Sequence, residues 1–166
     1  MTLPTEPMRA EHRDLHPHVA DLRTVADSIS HWDADTAGKI VGTVTFLRDH
    51  LVPHARAEEA VLYPTVERLQ EAPRATATMV ADHSEIVARI DALEALGRSL
   101  SPRRPSEAEA NELRAQLYGL WAIVALHFVK EEEVLLPILD AHLSEADALA
   151  LFERMGAVAH PSTPAA

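Results

Sequence analysis

The sequence predicts an all-α protein, an antiparallel up-down four-helix bundle with a short C-terminal fifth helix. Three observations carry that expectation. The composition is 47% hydrophobic but only 4% aromatic, with 5 glycines, and it leans on Ala, Leu, Glu and Arg, which lose little rotamer freedom in a helix. Apolar residues recur at alternating steps of three and four. Breaks rich in Pro, Ser and Gly divide the chain into stretches of helical length. At 166 residues one domain with its own core is expected over 1–160, with 161–166 as a loose tail.

The first helix is expected from Pro7, a good first-turn residue after Thr5, to Ser30, and the second from Thr36 to Gln70. The third is expected from Pro73 to Leu96, stopping at Gly97. The polar stretch SLSPRRPSEAE makes the next loop. The fourth helix opens on the capping box Ser106-x-x-Glu109 and runs to Asp140. Ser144 starts the short fifth helix, to Ala157. Pro17 and Pro53 fall inside helices, where a missing N–H and a steric clash should bend the axis.

Four long helices with short or moderate connections predict antiparallel neighbours around apolar seams. Helix one supplies Met8, His12, Leu15, Val19, Leu22, Ala26 and Ile29. Helix two supplies Ile40, Val44, Leu47, Leu51, His54, Glu58, Val61 and Thr65. Helix three supplies Met79, His83, Ile86, Ile90 and Leu93. Helix four supplies Leu113, Leu117, Leu120, Val124, His127, Glu131, Val134 and Ile138. Every seam thus contains a histidine, and two contain a glutamate one turn later, where a bundle otherwise buries Leu, Ile and Val.

An unpaired carboxylate in a core costs several kcal/mol even after relaxation, and two facing each other cost more. Something positive belongs between them. Four crowded imidazolium groups would repel, whereas neutral imidazole and carboxylate are natural donors for a divalent metal. The chain has no cysteine, so any metal is held by nitrogen and oxygen. His-x-x-x-Glu puts both side chains on one helix face. With 10 histidines in the chain roughly one such spacing arises by chance, so the phase supplies the specificity.

An internal repeat reinforces the pattern. Helix two reads HARAEEAVLYP from His54 and helix four reads HFVKEEEVLLP from His127. Helices one and three each place an acid before a lone histidine, in EHRDL and DHSEI. Two helix pairs of one design would meet around a pseudo-twofold axis.

These motifs, over roughly residues 8 to 142, resemble the hemerythrin-like proteins with an HHE cation-binding domain. The resemblance implies a non-haem centre of two Fe ions, held by His12, His54, Glu58, His83, His127 and Glu131, with both glutamates bridging. It departs from hemerythrin itself at Val87, where a further histidine would stand. The ferritin-like alternative needs Glu-x-x-His, a spacing found nowhere in this chain. An oxo or hydroxo group shared by the irons would complete five donors each. His16, one turn after His12, is a candidate additional ligand, with solvent or a backbone carbonyl as its other partner, and Glu132 is a reserve. Glu59, Glu132 and Glu133 point about 100° away from the ligands, toward solvent or the ligands' outer faces. His18, His31, His142 and His160 are expected at the surface, and His50 there or behind the ligands.

The net charge of −11 argues against nucleic acid and anionic membrane, which need a basic footprint. The first residues, MTLPTEPMRAEHRD, lack the basic and apolar runs of a secretory signal, so a cytoplasmic protein is expected. Open positions on a reduced di-iron pair suit a small diatomic or peroxide ligand. The leading expectation is therefore binding or sensing of dioxygen, nitric oxide or peroxide, and the alternatives are an enzyme acting on peroxide or nitric oxide and an iron-handling protein. Clustered buried imidazoles also predict a metal-free form that loses stability as pH falls from 7 toward 5.

Overall fold

The computed structural model describes residues 3–100 and 103–161. All regular structure among them is helical. No described helix is long and apolar enough to cross a membrane. Of the expected loose tail, 161–166, residues 162–166 lie outside the described residues, as do Ser101 and Pro102 of the expected loop.

Helix α1 (Glu6–Ser28) ends in a 3₁₀ turn, Ile29–His31. Its start is tied to the far end of the chain, because the Thr5 backbone N–H and hydroxyl both donate to Asp140 at 3.0 Å. Helix α2 (Ala34–Phe46) begins two residues before the expected Thr36, since the Asp33 side chain accepts the Thr36 N–H at 2.8 Å and caps it.

From α2 the chain continues through α3 (Val52–Ala57) and α4 (Tyr63–Leu69), joined by π turns at Leu47–Leu51 and Glu58–Leu62. A third π turn lies at Glu131–Leu135. In each, the residue before a proline donates its N–H five residues back: Val52 to Leu47, Tyr63 to Glu58 and Leu136 to Glu131. Pro53, Pro64 and Pro137 would each clash with the carbonyl four residues back. Those carbonyls, on Asp49, Ala60 and Glu133, sit at the middle of the π turns, where widening relieves the clash.

The additional residue turns the seam. After Glu58 the core takes Leu62, Tyr63 and Val66, and after Glu131 it takes Leu135, Leu136 and Leu139. The expected Val61 and Ile138 are only half-buried, and Val134 is 55% exposed. Thr65 stays buried by returning its hydroxyl to the Val61 carbonyl at 2.9 Å.

Helix α5 (Ala77–Leu100) starts later and ends later than the sequence predicts. Glu71 and Arg74 have positive φ, and Thr76 is pinned by Glu67 at 2.7 Å, so residues after Pro73 form turns. Gly97 does not stop the helix. A Cβ there would lie 3.4 Å from Ile40 of α2, so the glycine permits close packing while Leu100 beyond it is buried.

Helix α6 (Glu107–Lys130) opens on the expected capping box. The third π turn carries it into α7 (Leu136–His142), and Ser144 caps α8 (Glu145–Ala159). Helix α6 packs along both α1 and α5, α2 packs on α5 and α1, and α8 lies across α3 and the Glu58–Leu62 turn. Two apolar clusters result, one containing Leu15, Leu51, Ile86 and Val124 and the other Met8, Leu62, Met79 and Leu135. The seam histidines and glutamates form a polar layer between them.

Candidate metal centre

Each of these four helical runs delivers one histidine to the layer, and His12, His54, Glu58, His83, His127 and Glu131 are all at most 4% exposed. Their atoms form two groups whose members lie within 4.8 Å of one another: His12, His54, Glu58 and Glu131, and Glu58 with His83 and His127. Glu58 belongs to both. Its Oε1 lies 2.9 Å from His54 Nε2 and its Oε2 3.2 Å from His83 Nε2. Glu131 spans the same gap, with Oε2 3.4 Å from His12 Nε2 and Oε1 3.6 Å from His127 Nε2.

The outer nitrogen of every ring meets a carboxylate. His12 Nδ1 lies 3.1 Å from Glu132, His54 Nδ1 3.0 Å from Glu11, His83 Nδ1 2.8 Å from Glu59 and His127 Nδ1 3.1 Å from Asp82. An ionised carboxylate only accepts, so in His12, His83 and His127 the Nδ1–H donates outward, and every ring directs its Nε2 inward, where its lone pair would serve a bound metal. The supports cross between helices. Acids preceding the lone histidines, Glu11 and Asp82, hold the histidines of the His-x-x-x-Glu motifs, while Glu59 and Glu132 hold the lone ones. Lys130 in turn pairs with Asp82.

The centre is short of partners within the protein. His12 Nε2, His54 Nε2, both oxygens of Glu58 and Glu131 Oε2 are buried without a hydrogen bond. His54 and Glu58 are 2.9 Å apart yet lack hydrogen-bond alignment, as expected of two groups aimed at a common third. Each orphaned polar atom costs roughly 1–3 kcal/mol. One cation in each group satisfies them together, so the donor set fits a metal site. The family model of the hemerythrin HHE cation binding domain matches residues 3–150.

The chain belongs to that family.

No curated protein and no solved structure matches it.

In this HHE domain the charges of the metal-free cluster are uneven. Burial opposes ionisation of Glu58, but His54 and His83 outweigh it and hold the carboxyl well below its usual range. Burial, then the Glu58 charge, pushes Glu131 up to about 7. Burial also lowers His127, to about 4. His54 and His83 go the other way, because Glu58 with Glu11 or Glu59 overcomes burial and raises both. Clustering and burial thus depress His127, whereas at His54 and His83 the carboxylates prevail, which reverses the expected loss of metal-free stability toward low pH at these two residues. Their carboxylate neighbours stabilise the imidazolium.

Two functional contacts escaped the sequence reading. The Tyr63 hydroxyl donates to Glu131 Oε1 at 2.9 Å and lies 3.3 Å from His83 Nε2 and 3.2 Å from His127 Nε2. Burial and the carboxylates of Glu58 and Glu131 raise its pKa, so it remains a phenol. Phe128 stacks on His12 with ring centroids 4.3 Å apart and meets His54 edge-on. The repeat held the signal for both, as Tyr63 aligns with Leu136 and Phe128 with Ala55.

His16 is not brought to either group. It is exposed and lines an outer pocket with Arg13, Pro17 and Phe128. Glu132 supports His12 from outside, Glu59 does the same for His83, and Glu133 is exposed. His18, His31, His50, His142 and His160 are exposed, as expected.

Proposed function

We propose that this HHE domain is a non-haem di-iron protein that binds or senses a small neutral ligand, dioxygen, nitric oxide or peroxide, on an antiparallel up-down four-helix frame capped by α8. The observation that carries the proposal is that Glu58 and Glu131 each direct one oxygen to the His12/His54 side and the other to the His83/His127 side. Two carboxylates so placed would hold two ions side by side, each with two imidazoles, and imidazole with carboxylate suits iron. When bound, the pair supplies redox-active positions open to a small ligand.

The remainder of the work falls to the chain. Glu11, Glu59, Asp82 and Glu132 hold the rings in register, and the apolar clusters exclude bulk water. Beside His54, Glu58, His83 and His127 lies a cavity of about 10 Å³, otherwise walled by residues such as Leu51, Ile86, Val87, Val124 and Phe128. That is room for a single small molecule. Metal analysis of the purified protein, with absorption spectra before and after nitric oxide, dioxygen or hydrogen peroxide, tests the proposal. Two irons per chain and a reversible spectral change are expected; one metal per chain, or a spectrum indifferent to all three, overturns it.

Tyr63 favours a second reading, an enzyme acting on peroxide. Its phenol hydroxyl, which donates to Glu131, is a hydrogen-bond donor held inside the centre, where it would stabilise negative charge developing on a bound oxygen. Sustained peroxide turnover by the iron-loaded protein, lost in Tyr63→Phe, would establish that reading over simple binding.

A further inference from the structure

The inner cavity of about 10 Å³ and a surface pocket of about 400 Å³ share one lining residue, Phe128. The outer pocket is otherwise bounded by His12, Arg13, His16, Pro17, Ala125, Val129 and Glu132. It opens where Pro17 crowds the Arg13 carbonyl on α1, a clash that favours bowing of a helix at an internal proline. Across from it, α6 presents only Ala125 and Val129 around the Phe128 ring.

We infer that Phe128 is a specificity-determining gate: its ring separates the outer pocket from the inner cavity, and neutral diatomic ligands reach the centre past it. This rests on the proposed small-ligand reading and names the way in and what is admitted.

Three observations favour Phe128 over the alternatives. The ring is 5% exposed and has no polar tether, being held by stacking on His12 and by apolar neighbours. A second surface pocket, of about 380 Å³, shares only His54 with the inner cavity. That imidazole is fixed by Glu11 at 3.0 Å and lies 2.9 Å from Glu58, so it cannot swing without breaking its ion pairs. Rotation of Phe128 breaks only dispersion contacts, and space for the ring lies on its outer side. An anion following the same path would leave water between Phe128 and Val124 with no donor to replace its hydration, a costly transfer. Nitric oxide and dioxygen carry no such penalty.

The test compares wild type with Phe128→Ala and Phe128→Trp. In the metal-free proteins, xenon exchange by ¹²⁹Xe magnetic resonance reads the route without any reaction at the centre. Xenon should exchange faster in Phe128→Ala and more slowly in Phe128→Trp. In the iron-loaded proteins, stopped-flow association of nitric oxide should rise on the order of tenfold in Phe128→Ala and fall similarly in Phe128→Trp. Azide, the anionic probe, should gain more than nitric oxide in Phe128→Ala. Should Phe128→Ala fail to fold, Phe128→Leu replaces it. Xenon and nitric oxide rates unchanged in both directions, with metal content intact, would overturn the gate. Wild-type iron-loaded protein whose spectrum is indifferent to nitric oxide, dioxygen and peroxide while xenon exchange still follows residue 128 would instead overturn the proposed function and leave the gate standing.

Discussion

The two halves of the centre are built from one repeat, yet they present different chemistry. On the His12/His54 side the neighbouring aromatic is Phe128, stacked at 4.3 Å and unable to donate or accept. On the His83/His127 side it is Tyr63, whose hydroxyl reaches both histidines and Glu131. The repeat aligns these residues with Ala55 and Leu136, so each half acquires its aromatic by departing from the shared pattern. With the donor spacing kept, one differing residue on each side is enough to make one side apolar and to give the other a hydrogen-bond donor. Each half still keeps its outer carboxylates, Glu11 and Glu132 against Glu59 and Asp82.

The strongest way to break the comparison is to remove what the halves share. Glu58→Ala should take metal content below two per chain, since Glu58 alone stands in both donor groups, and elemental analysis after loading reads this directly. Glu133→Ala, exposed and outside the cluster, should load like wild type. Equal losses in both variants would contradict the placement of the donors.

A weaker perturbation separates the halves. Glu132→Ala unfastens His12 and Asp82→Ala unfastens His127, and loss of such support typically weakens metal binding about 10–100-fold. Competition with a chelator should show one of the two ions released early in each variant. Loss of both ions together would mean that the halves are not independent.

The metal-free protein sharpens the contrast through pH. His54 and His83 have raised folded-state pKa values, so their contribution is fully present below the unfolded value near 6.5 and is lost as pH rises through the folded values. Glu131, raised to about 7, likewise binds its proton more tightly when folded, and its penalty grows between about 4.5 and 7. His127, lowered to about 4, acts oppositely between 6.5 and 4. The net expectation is a metal-free form less stable at pH 8 than at pH 6, the reverse of the trend predicted from clustered histidines alone. Chemical denaturation at the two pH values decides it, and bound metal should flatten the difference because its ligands are already deprotonated.

The smallest effect concerns one hydroxyl. Tyr63→Phe leaves Glu131 Oε1 without its donor and should cost about 1–3 kcal/mol in the metal-free protein, measured by denaturant titration, while the loaded protein keeps two metals. A loss of metal would make Tyr63 a holder of the ion rather than a donor beside it.

The sequence by itself determined the helical content, the family and the six histidine and glutamate side chains that converge. Helical phase is a local property, and His12, His54, Glu58, His83, His127 and Glu131 lie on apolar stripes whose period is legible residue by residue. Only the tertiary structure decided what depends on how helices face one another or where a helix widens. The π turns before Pro64 and Pro137 moved the seam from Val61 and Val134 to Leu62 and Leu135, because a single wider turn rotates everything beyond it. His16 is left outside, exposed in a surface pocket whose lining it shares with Phe128 of another helix. The crossing of Glu11 to His54 and Glu132 to His12 joins α1 to α3 and to the turn after α6. No spacing within one helix encodes such a pairing, since it is set by the relative rotation of neighbours packed around a common core.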